Sequence, residues 1–133
     1  DILEQFKLEK IKYIECYSAE HLIEEIRLCK LFISNDSGPL QIAALLKKPT
    51  FCIYGPTNPV YHVPFGKLHH YINKSLKCIP DKEKYCFADG GRDCSHYNCM
   101  KLLSVDEVYE SVIKLLAELD ILTSTLDQTH YSC

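Results

Sequence analysis

Long apolar runs are missing from the sequence: none approaches the roughly 18 consecutive residues that a membrane-spanning helix needs. Also missing is the basic, then apolar, then small pattern of a secretory leader, because the chain opens Asp1-Ile2-Leu3-Glu4-Gln5. Positive charge is not in excess. Lys and Arg number 15 against 18 Asp and Glu, for a net charge of −3, and the basic residues are scattered. A protein that grips nucleic-acid phosphates concentrates Lys and Arg in a stripe, so nucleic acid is not expected as a partner. There is no internal repeat and no low-complexity tract. These absences lead to the expectation of a soluble, cytoplasmic chain. Its start at Asp1, in a mixed polar stretch, suggests part of something longer.

What is present suffices for one hydrophobic core: 133 residues, 47% of them apolar and 25% charged. Eight cysteines fall into groups. Cys16, Cys29 and Cys52 sit among apolar neighbours, where a thiol behaves as a small buried group. Cys78, Cys86, Cys94 and Cys99 crowd one loop-like stretch, and Cys133 is terminal. Reduced thiols are expected, since no leader argues for an oxidising compartment. Four thiolates could hold zinc, but the spacing lacks Cys-x-x-Cys pairs. Metal binding, disulfides and a plain cysteine-rich surface loop stay open.

Short apolar runs alternate with helical patterns. Lys10 to Glu15 reads as a strand, and Ser18 then caps a helix over about residues 19–30 with Leu22, Ile23, Ile26 and Cys29 inward. Leu31 to Ser34 is a buried strand ended by Asn35-Asp36-Ser37-Gly38. Pro39 suits a first helical position, with Ile42, Ala43, Leu45 and Leu46 as apolar positions and Lys47-Lys48-Pro49 as the stop. A third strand covers 50–54, a fourth 68–73, and residues 74–103 read as irregular. Ser104 and Glu107 form a capping box for a helix over about 105–119, leaving 120–133 as a polar tail. Strands and helices in alternation, joined by tight turns, give the α/β class: a Rossmann-like parallel sheet flanked by helices, within a domain of residues 1–119.

Ligands in such sheets bind beyond the carboxyl ends of the strands, which singles out residues 35–39 and 55–59. In the first loop, a buried strand runs through a glycine turn into a helix start. The amides of Ser37, Gly38 and Leu40 are then available at a positive helix end, as a diphosphate requires. Gly38 permits close approach and Ser37 adds a hydroxyl. Asp36 would repel phosphate and suits capping, or sugar hydroxyls. Ordinary capping by Asp36 and Ser37 is the plainer alternative. Lys47 and Lys48 read as helix-end cations. His69 and His70 leave opposite faces of one strand, and His62 and His96 read as structural or exposed.

Several pieces in order, Ser34-Asn35-Asp36-Ser37-Gly38-Pro39, Ile42-Ala43-Ala44-Leu45, Lys48-Pro49, Ile53-Tyr54-Gly55-Pro56-Thr57-Asn58-Pro59 and Pro64-Phe65-Gly66, resemble family 9 glycosyltransferases. These are the ADP-heptose heptosyltransferases of lipopolysaccharide assembly. The resemblance is close over about residues 18–66 and looser through Cys99-Met100 and residues 104–116. It implies the C-terminal, donor-binding lobe of a two-lobed (GT-B) inverting, metal-independent transferase. Asp36, Ser37, Gly38, Leu40, Gln41, Gly55 and Thr57 would then line the nucleotide-sugar site, with ADP-heptose or another nucleotide sugar as substrate and no cofactor. The acceptor site and the aspartate general base would belong to an N-terminal lobe, leaving this chain alone inactive, with peripheral membrane association through the acceptor. The family usually has His where this chain has Gln41. Gln41 also suits a second two-lobed family, the non-hydrolysing UDP-N-acetylglucosamine 2-epimerases, with an Asp-Ser-Gly-Gly turn, but Pro39 replaces the second Gly here, and Gly55-Pro56-Thr57 and Pro64-Phe65-Gly66 favour the transferase. A non-catalytic interaction module is the remaining alternative.

Overall fold

The computed structural model describes residues 13–78, 86 and 94–129, with residues 120–129 described through their backbone alone. Its elements are α1 (Ala19–Leu28), β1 (Phe32–Asn35), α2 (Gly38–Leu45), β2 (Thr50–Ile53), α3 (Pro59–His62), β3 (His69–Ile72), α4 (Asn98–Lys101) and α5 (Val105–Thr129). Local chemistry explains most boundaries. Extended Ser18 accepts from the His21 amide at 3.2 Å and so opens α1. Ser104 and Glu107 exchange reciprocal bonds of 2.9 and 3.1 Å at the start of α5, the capping box read from the sequence. α2 ends in a left-handed residue, Lys47 at φ 57°. The Lys47 and Lys48 amides return to the carbonyls of Ala44 and Ala43, satisfying two orphan acceptors of the last turn.

The three strands form one parallel sheet in the order β1-β2-β3, registered from Phe32 opposite Thr50 and from Thr50 opposite His69. The α/β class with a parallel sheet therefore stands. Alternation along the strands separates two faces. Cys52 faces Leu40 of α2, and these two with Tyr54 and the packed Val63 make the buried core. The opposite face carries Phe51 and His70, which line a shallow groove with Leu115 of α5. His69 and His70 diverge as expected: His69 Nδ1 stands 2.9 Å from the Thr50 hydroxyl, on the α2 side.

Some expectations need correction. Residues 13–15 are not in a strand, and the rest of the strand read over Lys10 to Glu15 lies outside the described residues. Cys16 is exposed rather than buried, and the described residues around it, 13–17, form neither strand nor helix. Leu45 is exposed as well, at the last turn of α2. α5 does not stop near Leu119 but runs to Thr129, since neither glycine nor proline interrupts it. Part of the stretch read as irregular forms α4. No helix among the described residues is long and apolar enough to cross a membrane.

Candidate functional site

β1 and β2 are neighbours with Asn35 opposite Ile53, so the turns that follow them emerge side by side at the carboxyl edge of the sheet. The first turn is Asp36-Ser37, leading directly into α2. Ser37 is extended (φ −158°, ψ 164°), yet its side chain makes no capping hydrogen bond. Among the described residues no protein acceptor meets the amides of Ser37 or Gly38. Gly38 is exposed, and a Cβ built on it would meet nothing within 4 Å. Its φ is not in the left-handed region either. Neither packing nor backbone geometry therefore demands glycine there, and what the missing side chain leaves is open space at a positive helix end.

Leu40 departs from the sequence reading. It is 0% exposed and belongs to the core, so its amide is enclosed and the open cradle reduces to Ser37 and Gly38. The reason is helical phase, which turns Leu40 onto Cys52 and Tyr54. Gln41 is exposed, and its side-chain amide donates to the His62 carbonyl at 3.1 Å, fastening α3 to α2. Asp36 does not cap the turn. Its Oδ2 lies 3.7 Å from His62 Nδ1, and both side chains are three-quarters enclosed. Asp36, Gln41 and His62 thus form one cluster beside the cradle.

The second turn is shaped by packing. Gly55 is buried, and a Cβ there would stand 2.8 Å from Met100 Sδ and 3.9 Å from Cys99 Sγ. Its small size therefore admits α4, while the Cys86 amide holds the Pro56 carbonyl at 3.0 Å. Thr57 is half-buried in the same loop. Asn58, 5% exposed, accepts from the Val60 amide at 3.0 Å and starts α3 at Pro59, which delivers His62 to Asp36. Beside this cluster a cleft of about 570 Å³ is lined by Gln41, Leu45, Tyr61, His62, Phe65 and His69, among others.

Burial, together with the Asp36 charge nearby, pushes the Cys52 thiol up to about 11, with a hydrogen bond to Tyr54 pulling the other way. Burial also raises Tyr54, aided by the charges of Cys52 and Asp36. Its hydroxyl lies beside that thiol and meets no nitrogen or oxygen partner among the described residues. His69 is lowered by burial and then by His70. Burial also raises Cys86, followed by the charges of Cys99, Cys78 and Cys94, so these four thiols lie near one another. Even so, among the described residues no three His, Cys, Asp or Glu side chains converge as metal ligands.

Sequence reasoning missed His62 and Asn58. Asn58-Pro59 carries the signal of a capping residue followed by a first-turn proline, which could have revealed α3. Nothing local foretells the pairing of His62 with a carboxylate 26 positions earlier.

The chain matches the profile of glycosyltransferase family 9 (heptosyltransferase) over residues 18–90. It is 36% identical over 96 residues to lipooligosaccharide heptosyltransferase 2 of Campylobacter jejuni, a stretch covering 71% of this chain and 28% of that protein. It is 45% identical over 47 residues to lipooligosaccharide heptosyltransferase 2 of Haemophilus ducreyi, covering 34% of this chain and 14% of that one. With lipopolysaccharide heptosyltransferase 2 of Escherichia coli, 41% identity extends over 41 residues, 31% of this chain and 12% of the other. The chain thus spans at most 28% of the length of these relatives. No solved structure matches it.

Proposed function

The chain belongs to glycosyltransferase family 9, the heptosyltransferases, and from that premise we propose that the open turn at Ser37 and Gly38 seats the diphosphate of a nucleotide-activated sugar, making this domain the donor-binding lobe of a sugar transferase. One observation carries the reading: a helix start at which the Ser37 and Gly38 amides and the serine hydroxyl meet no protein partner among the described residues, at an exposed glycine whose missing side chain leaves space. Preorganised donors of this kind, backed by the helix dipole, offset the charge that builds on a leaving nucleoside diphosphate as the glycosidic bond breaks. Asp36, at the rim, is suited to accept from hydroxyls of the transferred sugar. Gly55 and Thr57 wall the adjoining crevice.

The relatives' names favour a heptose donor such as ADP-heptose and an acceptor of the lipooligosaccharide or lipopolysaccharide type. The acceptor site and the general base of an inverting displacement would be supplied by a second lobe, in the cytoplasm, with the membrane reached only through the lipid-linked acceptor. The test is titration of the 133-residue chain with ADP-heptose, followed by amide NMR. The Ser37 and Gly38 signals are expected to move furthest. Binding that leaves both signals still, or no binding at all, would overturn the reading.

A further inference from the structure

Asp36 is an awkward neighbour for a diphosphate. Its carboxylate is adjacent in sequence to the Ser37 amide, and an uncompensated negative charge there would repel the ligand that the amides attract. It is also the last carboxylate for a long way: residues 37–80 contain five lysines and neither Asp nor Glu. Asp36 is thus the carboxylate that the sequence itself sets at this turn, and the structure places an imidazole against it, His62 Nδ1 at 3.7 Å from Asp36 Oδ2. His62 does not arrive there by chance of a loose loop. Asn58 caps the turn that carries it, and Gln41 holds its backbone carbonyl from α2.

We propose that His62 is the counter-charge of the donor seat: protonated against Asp36, it neutralises the carboxylate at the rim and lets a nucleoside-diphosphate sugar settle on the Ser37 and Gly38 amides. The inference rests on the donor-lobe reading and adds a binding residue and a proton to it. Ligand and proton then bind together, because each stabilises the other's charge. Among the described residues, no other group facing the cluster supplies that proton. The Cys52 thiol and the Tyr54 phenol, from β2, are raised by burial and stay neutral. His69, across the shared cleft, is lowered by burial and engaged with the Thr50 hydroxyl. Gln41 carries no charge, and the Tyr61 phenol in the same cleft supplies no cation.

The probe is ADP-glucose, whose diphosphate is a diester and remains a dianion between pH 6 and pH 8, so that pH dependence belongs to the protein. In the full chain its affinity should be about tenfold weaker at pH 8 than at pH 6, the dependence that an imidazole counter-charge gives. His62→Gln keeps the backbone carbonyl that Gln41 holds. It should bind about tenfold more weakly at pH 6 and lose the pH dependence, with its thermal unfolding midpoint unchanged. In an Asp36→Asn background the same substitution should cost less than threefold, because the charge to be offset is gone. His69→Gln should keep the parental profile. A parental profile in His62→Gln, or an equal loss with and without Asp36, overturns this inference while leaving the donor-lobe reading intact. Failure of the parent to bind ADP-glucose with movement of the Ser37 and Gly38 signals overturns both.

Discussion

Three helices of this domain begin at a serine, Ser18, Ser37 and Ser104, and the starts of α5 and α2 differ most. At α5, Ser104 and Glu107 close the first turn on each other, and Lys74 reaches the same carboxylate at 2.5 Å. At α2, Ser37 has cap-like backbone angles but no capping bond, and the following residue is a glycine facing open space. A serine that could satisfy its own helix and does not leaves donors for something outside the chain. The closed start is architecture, whereas the open one is where the proposed reading seats the donor diphosphate.

Substitutions at the two starts should separate these roles. The largest effect belongs to Gly38→Val, which fills the space before the open amides. Losing two hydrogen bonds to a charged ligand amounts to roughly 3 kcal/mol or more, so ADP-heptose binding by calorimetry should weaken at least ~100-fold. The fold should survive, since a Cβ there meets nothing. Serine to alanine sharpens the comparison. Ser104→Ala should cost about 1 kcal/mol in urea unfolding, whereas Ser37→Ala should stay within about 0.5 kcal/mol of the parent while weakening binding. Equal stability losses at the two serines would erase the distinction. At the other end of α2, Lys47→Gly should raise stability by about 1 kcal/mol, by relieving a left-handed residue, and leave binding untouched.

The smallest effect is a pH dependence confined to the closed start. Hydrogen bonds from Lys74 and then Ser104 hold the Glu107 carboxyl down to about 2 in the folded chain. A depressed carboxylate stabilises the fold above its unfolded value, and that contribution is lost as pH falls through the folded one. Unfolding midpoints of the parent and Glu107→Gln should therefore differ at neutral pH and converge as pH is lowered from the ordinary carboxylate range toward 2. A gap that persists there would detach the effect from this carboxyl.

Local chemistry was the legible part. Ser18, Pro39, the Lys47-Lys48-Pro49 stop and the Ser104 box mark their helices within a few residues, because each acts through neighbours in sequence. The turn from β1 into α2 was legible for the same reason, as was its place beside the turn after β2 at the carboxyl edge of the sheet. What escaped depends on contacts between distant segments. The enclosure of Leu40 depends on which face of α2 meets the sheet. Gly55 reads from the sequence as a glycine of the ligand crevice, and packing adds a second demand for its small size from Met100, 45 positions on. The union of His62 with Asp36 needed the α3 crossover to be seen folded. Motif order carried the family, and only coordinates showed which of the motif's residues remain accessible.

The contact at Gly55 has a bearing on how this domain can be rebuilt. The thioether of Met100 occupies the hollow that a side chain would claim, and the Cys86 amide pins Pro56 from the same downstream stretch. Grafting residues 50–66 of this chain into a relative therefore carries a condition: residues 98–101 should travel with them, so that Gly55 keeps the partner that fills its hollow. Positions 55 and 100 behave as a lock and its key cut together, and a chimera that mixes them should be judged by that pair before any other.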